Sequence, residues 1–564
     1  SGFNLYGGHL ITRYDNGAGS LTNANMSSAK GAYVDSDILY AVSGADLSVS
    51  GAMTTLYVPN GQSFIPGGHV TTPQLDVTAG STYNAGSFIH TLTASGMPFI
   101  VNGTFMAGSS TVRYIGSGAA TQITTLTYYN LQLSPSSATT YSLTGSLSSS
   151  NALGGSFTLD NNATLDTTAS NYALTAVNIT LNGGSTYLAG ASTLTASGNF
   201  NNSGTFTAGT STVLLNGAAN QTLTTGGAAF YNLTFNNSGA SGSDNLIVSG
   251  ALDINGALTI TDGDLDIATN NPTVNTAGNV TISFNGTVDV TSRTAIWTFD
   301  GATTFNNVSF GGVMQSIQDV VVSGTLAIPG LGIQVKSMNV TAPGTLNLGN
   351  GAYKLVIYGT GTPFVMNGTL LLPRVSIVEY TGTGSATNIA NVPYNILWLT
   401  PSAPTTYSLL GHQTGGSALT GSLTIGSNAT LDATGSNFNL TTTGIANNGT
   451  YLAQASTITN SGGWSNSGTF TAGTSTVVLN GTNQTLTGST TFYNLTKTES
   501  TNNATDSILT FDNTATQTIN GTLTLDGLDG DDRINLVSNS PGNQWSLVLG
   551  ASATKAIDFV DVRD

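Results

Sequence analysis

The densest group of chemistry-bearing side chains in this 564-residue chain is the run from Asp526 to Asp532, DGLDGDD. Four carboxylates in so short a run are hard oxygen donors of the kind Ca²⁺ takes, and the glycines let the backbone turn around an ion. Asp526, Asp529, Asp531 and Asp532 are therefore the candidate metal ligands, and calcium is the candidate cofactor. The EF-hand spacing and its closing Glu are absent. The competing reading is an exposed turn whose Asp side chains cap their own backbone. A second group, Asp262, Asp264 and Asp266, alternates along a strand-like run and is expected to form a carboxylate row on one solvated face.

Catalytic chemistry finds little to work with. A glycosidase needs two facing carboxylates, and a polysaccharide lyase needs a base beside a charge-neutralising cation. The basic residues Arg113, Arg293, Lys336, Lys354 and Arg374 stand singly. His9, His69, His90 and His412 show neither metal-ligand spacing nor a testable Ser/His/Asp order. An active site on a repetitive scaffold shows itself as a break in the pattern, and no such break follows the N-terminal segment. The expectation is no enzyme and no catalytic residue. Of the four Trp, Trp297 (AIWTF) and Trp398 (ILWL) sit in apolar runs and are expected in the core. Trp464, in SGGWSNSG, is the candidate for an exposed sugar-stacking contact, with Trp545 as the fourth.

The elements that must position these groups follow from composition. Only 7% of residues are charged, 11 Lys+Arg and 27 Asp+Glu, where about 25% is usual. A long-helix protein would be rich in Glu and Lys, yet Glu appears only at Glu379 and Glu499. A nucleic-acid binder would carry basic patches; a net charge of −16 with scattered basic residues excludes that partner. With no Cys, disulfides and thiolate metal sites are excluded. No apolar run reaches the length of a membrane-spanning helix. Leu252-Asp253-Ile254, Leu258-Thr259-Ile260 and Leu523-Thr524-Leu525 show the period of two that places alternate side chains on one sheet face. Asn-Gly pairs such as Asn102-Gly103 and Asn367-Gly368 supply turns. The chain reads as all-β.

Two nested repeats set the architecture. GMPFIVNGTF from Gly96 returns as GTPFVMNGTL from Gly361, PSSATTYSL from Pro135 as PSAPTTYSL from Pro401, and NSGTFTAGTSTV from Asn202 letter for letter from Asn466. Inside each copy a shorter repeat puts Leu165, Tyr187 and Phe206 in register, and likewise Leu431, Tyr451 and Phe470. Tyr83 with Phe105, and Leu326 with Leu346 and Leu370, follow the same spacing. A period of roughly 20 to 24 residues is one coil of a parallel β-solenoid, whose coils stack about 4.8 Å apart. That gives about 25 coils in a rod on the order of 120 Å long. The expected division is an irregular N-terminal segment or cap over 1–60, a first solenoid superrepeat over 61–325, and a second over 326–564, incomplete at its C-terminus. The alternative is a string of immunoglobulin-like sandwiches. It is suggested by Tyr129-Asn130-Leu131, Tyr231-Asn232-Leu233, Tyr394-Asn395-Ile396 and Tyr493-Asn494-Leu495, whose spacings are of sandwich size. Sandwich strands need not resemble one another, whereas these coils do; the motif then marks the end of a group of coils.

The run SGTFTAGTSTVVLNGTNQTLTGSTTFYNL, from Ser467 to Leu495, resembles repeats of large secreted bacterial and archaeal surface proteins, adhesin-like chains with right-handed parallel β-helix repeats. The segment from Ser538 resembles one that recurs in such proteins. The resemblance implies a cell-surface location and a structural or adhesive role, and it carries over no catalytic residue. The chain opens at Ser1 without initiator Met, basic n-region or apolar h-region, as a mature secreted protein or a portion of a longer one would. The expectation is an extracellular surface protein that joins copies of itself end to end or laterally, as in a filament or surface layer. The alternatives are a carbohydrate-binding adhesin module with surface glycans as partners, a polysaccharide-active β-helix enzyme, and a phage fibre.

Overall fold

The computed structural model describes residues 55–563 apart from 59, 62, 309–313, 350, 352, 372–374, 500–504 and 530; within residues 1–54 it describes strand positions alone. The segment or cap expected over 1–60 therefore lies largely outside the described residues, as do the side chain of His9 and all of Arg374. The fold is all-β, a parallel β-solenoid of about 22 turns, close to the 25 expected. Apart from the hairpin of Asn4–Tyr6 with His9–Ile11, the described strand pairs are parallel. Parallel pairing of successive coils replaces the sandwich alternative, which needs antiparallel sheets. The chain divides into two compact units, Ser1–Arg293 and Thr294–Asp564.

In the first unit one coil supplies the strands Leu56–Val58, Ser63–Ile65 and Val70–Thr72, and the next supplies Leu75–Val77, Thr82–Asn84 and Ile89–Leu92. Each strand lies on its predecessor, pairing Leu75 with Leu56, Tyr83 with Phe64 and His90 with Val70. Alternate side chains point inward, so like stacks on like. Leu165 pairs with Tyr187 and Tyr187 with Phe206, as the repeat spacing predicts. The second unit repeats this with Leu431, Tyr451 and Phe470, and with Leu326, Leu346 and Leu370. Such rows make a stacked apolar core with aromatic stretches. Phe64, Tyr83 and Phe105 stack with centroids 5.4 and 6.2 Å apart.

The Tyr-Asn-Leu motif is a staple between coils. Asn130 donates from Nδ2 to Thr111 Oγ1 at 3.2 Å, and its Oδ1 accepts the N–H of Ser156 at 2.8 Å. Asn232 joins Thr212 and Ala257 in the same way, and Asn494 joins Thr476 and Thr522. Asn395 reverses the roles: its Oδ1 accepts from Val375 N and its Nδ2 donates to Thr420 Oγ1. The buried aromatic beside the motif also shifts. It is Tyr128, just before the motif, in the first copy and the motif's own Tyr394 in the second, while Tyr129 is 38% exposed. Both buried rings complete a duplicated hydrogen-bonded trio. Tyr128 hydroxyl bonds Tyr114 hydroxyl at 3.2 Å, and Tyr141 donates to Gly116 O at 3.1 Å. Tyr394, Tyr380 and Tyr407 do the same at 3.1 and 3.0 Å.

Several polar side chains interrupt the first unit's inward rows, among them Asn202, Gln221 and His90. His90, buried between Val70 and Val112, bonds Ala85 O through Nε2 at 2.9 Å and Tyr83 hydroxyl through Nδ1 at 2.8 Å. A carbonyl only accepts, so Nε2 carries the proton and Nδ1 accepts from the tyrosine. Burial depresses this imidazole's pKa from 6.5 to about 4; the Ala85 hydrogen bond opposes the shift and the charge of His69 adds to it. The unfolded chain takes up that proton near pH 6.5 and the native chain does not. His90 thus contributes stability above pH 6.5 that is lost as pH falls towards 4, about 3 kcal/mol in all. Denaturant melts of wild type and His90→Gln across pH 4 to 7 are expected to show that slope in the wild type alone. Parallel pH profiles would refute it.

Candidate functional site

Three of the four predicted calcium ligands come together. Carboxylate oxygens of Asp529, Asp531 and Asp532 lie within 4.8 Å of one another. Asp526 is outside this group, at the end of the strand Thr522–Asp526, paired with Thr498 and Asp558. The cluster's oxygens already have work. Asp529 Oδ1 accepts the N–H groups of Asp531 and Asp532, each at 3.1 Å, and Asp532 Oδ1 accepts Thr505 N–H at 2.9 Å. A hydrogen bond between the two side chains lowers the Asp529 pKa and raises that of Asp531. Ca²⁺ wants six to eight oxygens. Three carboxylates partly consumed by backbone amides match a self-capped turn better.

The expected carboxylate row at Asp262, Asp264 and Asp266 does not form. Their strand, Leu258–Asp266, turns a corner at Gly263, whose φ of +89° suits glycine. Asp262 pairs with Asn236, whereas Asp264 and Asp266 pair with Asn245 and Ile247 on a different face. Asp266 is buried and caps the following turn, its Oδ1 accepting from Ala268 N and Thr269 N. Burial, then the charges of Asp244, Asp289 and Asp266, raises the carboxyl pKa of Asp264.

The tryptophans divide differently from expectation. Trp297 is buried, as read from its run. Trp464, the sugar-stacking candidate, is 1% exposed and packs edge-on against Phe470. The glycines around it turn the chain, but strand Trp464–Asn466 points the ring inward. Trp398 faces out, half-buried, with Lys354 Nζ 4.8 Å from its ring centroid and Glu379 paired to that lysine. Trp545 stacks flat on Phe511 at 4.1 Å and donates from Nε1 to Arg563 O. The described histidines hold backbone or core: His69 and His412 accept the N–H groups of Ile89 and Asn439 at Nδ1. Arg113 bonds Gln132, buried Arg293 bonds Pro272 O, and Lys336 pairs with Asp319.

A recessed surface lies in the last coils of the second unit, away from the motifs singled out in the sequence. A cavity of about 480 Å³ is lined by Leu525, Leu536, Leu547 and Ile557, with Trp545 and Arg563 among its polar-tipped walls. Around it Ser546–Leu549, Thr554–Asp558 and Val560–Val562 are the terminal strands of three parallel sheets. Thr554–Asp558 is exposed along its whole length, and Val548, Ile557, Phe559 and Val562 are exposed apolar residues. The inward row Leu440, Ile458, Val477, Leu495, Leu523 continues to Lys555 at this edge.

The fold defines the chain as a parallel β-solenoid repeat protein. No protein-family model matches it, and no curated protein or solved structure is significantly similar. No helix among the described residues is long and apolar enough to cross a membrane.

Proposed function

We propose that the chain is a non-catalytic structural or adhesive protein of the cell surface, a scaffold that joins copies of itself through exposed strand edges. The observation that carries this reading is where the polar chemistry goes: Asn, Thr and Ser side chains bond from coil to coil, as Asn130, Asn232 and Asn494 do. Neutral ladders of this kind stack without the repulsion that charged ladders would suffer. They suit a protein whose output is mechanical persistence.

Immunogold labelling of intact producing cells should decorate their outer surface, and deletion should weaken attachment or the surface layer. Label confined to the cell interior would sink the reading. Negative-stain images of purified protein at rising concentration should show copies joined at coil ends; separate particles throughout would remove self-association and leave the surface role to be judged by the labelling.

A further inference from the structure

We propose that Lys497 and Gln484 condense into an amide, Nζ to Cδ, forming a covalent clamp inside the second unit. The sequence raises the question: FYNLTF in the first copy becomes FYNLTK in the second, so Lys497 stands where Phe235 stands in the core. Lys497 is 1% and Gln484 3% exposed. Lys497 Nζ donates to Gly481 O at 2.6 Å and to Gln484 Oε1 at 3.3 Å, the amine lying against the amide it would attack.

The glutamine amide is fixed through both its oxygen and its nitrogen. Its Oε1, where negative charge develops in a tetrahedral intermediate, accepts Gly481 N–H at 3.0 Å. Its Nε2, the leaving group, donates to Asn460 O at 2.9 Å and Gly462 O at 3.0 Å. Burial lowers the ammonium pKa of Lys497 to about 8, opposed by the charge of Glu499. Roughly a tenth of the side chain is therefore neutral amine at pH 7. That amine attacks Cδ, the Nζ–Cδ bond forms, and the Cδ–Nε2 bond breaks. One amine proton passes to Nε2, which leaves as ammonia. One amine and one primary amide become one secondary amide and ammonia, with no oxidant or co-reactant. Exclusion of water keeps hydrolysis from competing.

The first unit supplies an internal control. Gln221 is held in matching fashion, Oε1 accepting Gly217 N–H at 2.9 Å and Nε2 donating to Ala196 O at 3.1 Å. Its Nε2 also donates to Gly198 O, and its Oε1 accepts from the amide of Asn237 at 3.3 Å, where the second unit has an amine, so no link is expected there.

The clamp is tested on the purified full chain, independently of any surface role. After incubation above pH 8, digestion should yield a branched peptide joining Gln484 to Lys497, in protein one ammonia lighter than its sequence. Succinimide formation at an Asn-Gly pair also releases ammonia, so the branched peptide decides. Lys497→Arg and Gln484→Leu should each abolish it. Recovery of the two residues on separate linear peptides after that incubation overturns the proposal. An unlinked lysine would also betray itself by stability that rises with pH between about 8 and 10.5, where the unfolded chain binds the extra proton.

Discussion

Trp464→Ala is expected to lower folding stability by about 3–5 kcal/mol. The indole is fully surrounded. Its centroid lies 5.1 Å from that of Phe470 and 5.3 Å from that of Phe492, and its Nε1 donates to Thr490 Oγ1 at 3.2 Å. Truncation removes the transfer free energy of the ring and leaves a void that stacked coils cannot close, since each strand is tied by backbone bonds to both neighbours. Solenoids unfold by neighbouring blocks rather than all at once. The measurement is therefore hydrogen exchange of residues 444–492 together with denaturant melts. A loss below 1 kcal/mol, or one not centred on those coils, would show that the ring is not packed as described. Trp464→Phe should recover more than half of the loss.

Gly468→Ala should cost about 3 kcal/mol by a different mechanism, overlap instead of a void. A Cβ built on Gly468 would lie 2.1 Å from Gly449 O in the coil beneath, and one on Gly449 would lie 2.2 Å from Gly426 O. These glycines stack at one corner of successive coils, where the backbones approach too closely for any side chain. Relief would require coils to separate, and the parallel ladder resists that. Gly435→Ala is the matched control, with nothing within 4 Å of its added Cβ; it should change stability by less than about 0.5 kcal/mol. Equal effects at Gly435 and Gly468 would refute the corner argument. If Gly468→Ala fails to accumulate, Gly468→Ala in chains also carrying a stabilising surface change elsewhere still permits the comparison by hydrogen exchange.

The charge count and the repeat spacing were sufficient for the fold class, because a solenoid is local. Each coil contacts the one about 20 residues away, so register is written as periodicity. Leu165, Tyr187 and Phe206 pair as their spacing requires for that reason. The turn that competes with calcium at the Asp run is local in the same way: an Asx turn is made by near neighbours, here Asp529 with the N–H groups of Asp531 and Asp532.

Orientation of a side chain at a coil corner was not legible. Trp464 reads as exposed from SGGWSNSG, because flanking glycines signal a turn without saying which strand phase follows it. Tertiary structure turns the ring inward onto Phe470. Trp398 reads as core from ILWL, yet in a fully apolar run the period of two is invisible, and the structure turns Trp398 outward beneath Lys354. Gly263 breaks the Asp262–Asp266 alternation by folding the strand around a corner, a backbone choice its neighbours do not announce. What the sequence by itself determined is the coil: its period, its neutral ladders and its stacked apolar row. What only the tertiary structure decided is which groups that stacking brings together from different faces of one coil, as with Lys497 and Gln484, because separation along the chain carries no sign of which strand faces the core opposite which.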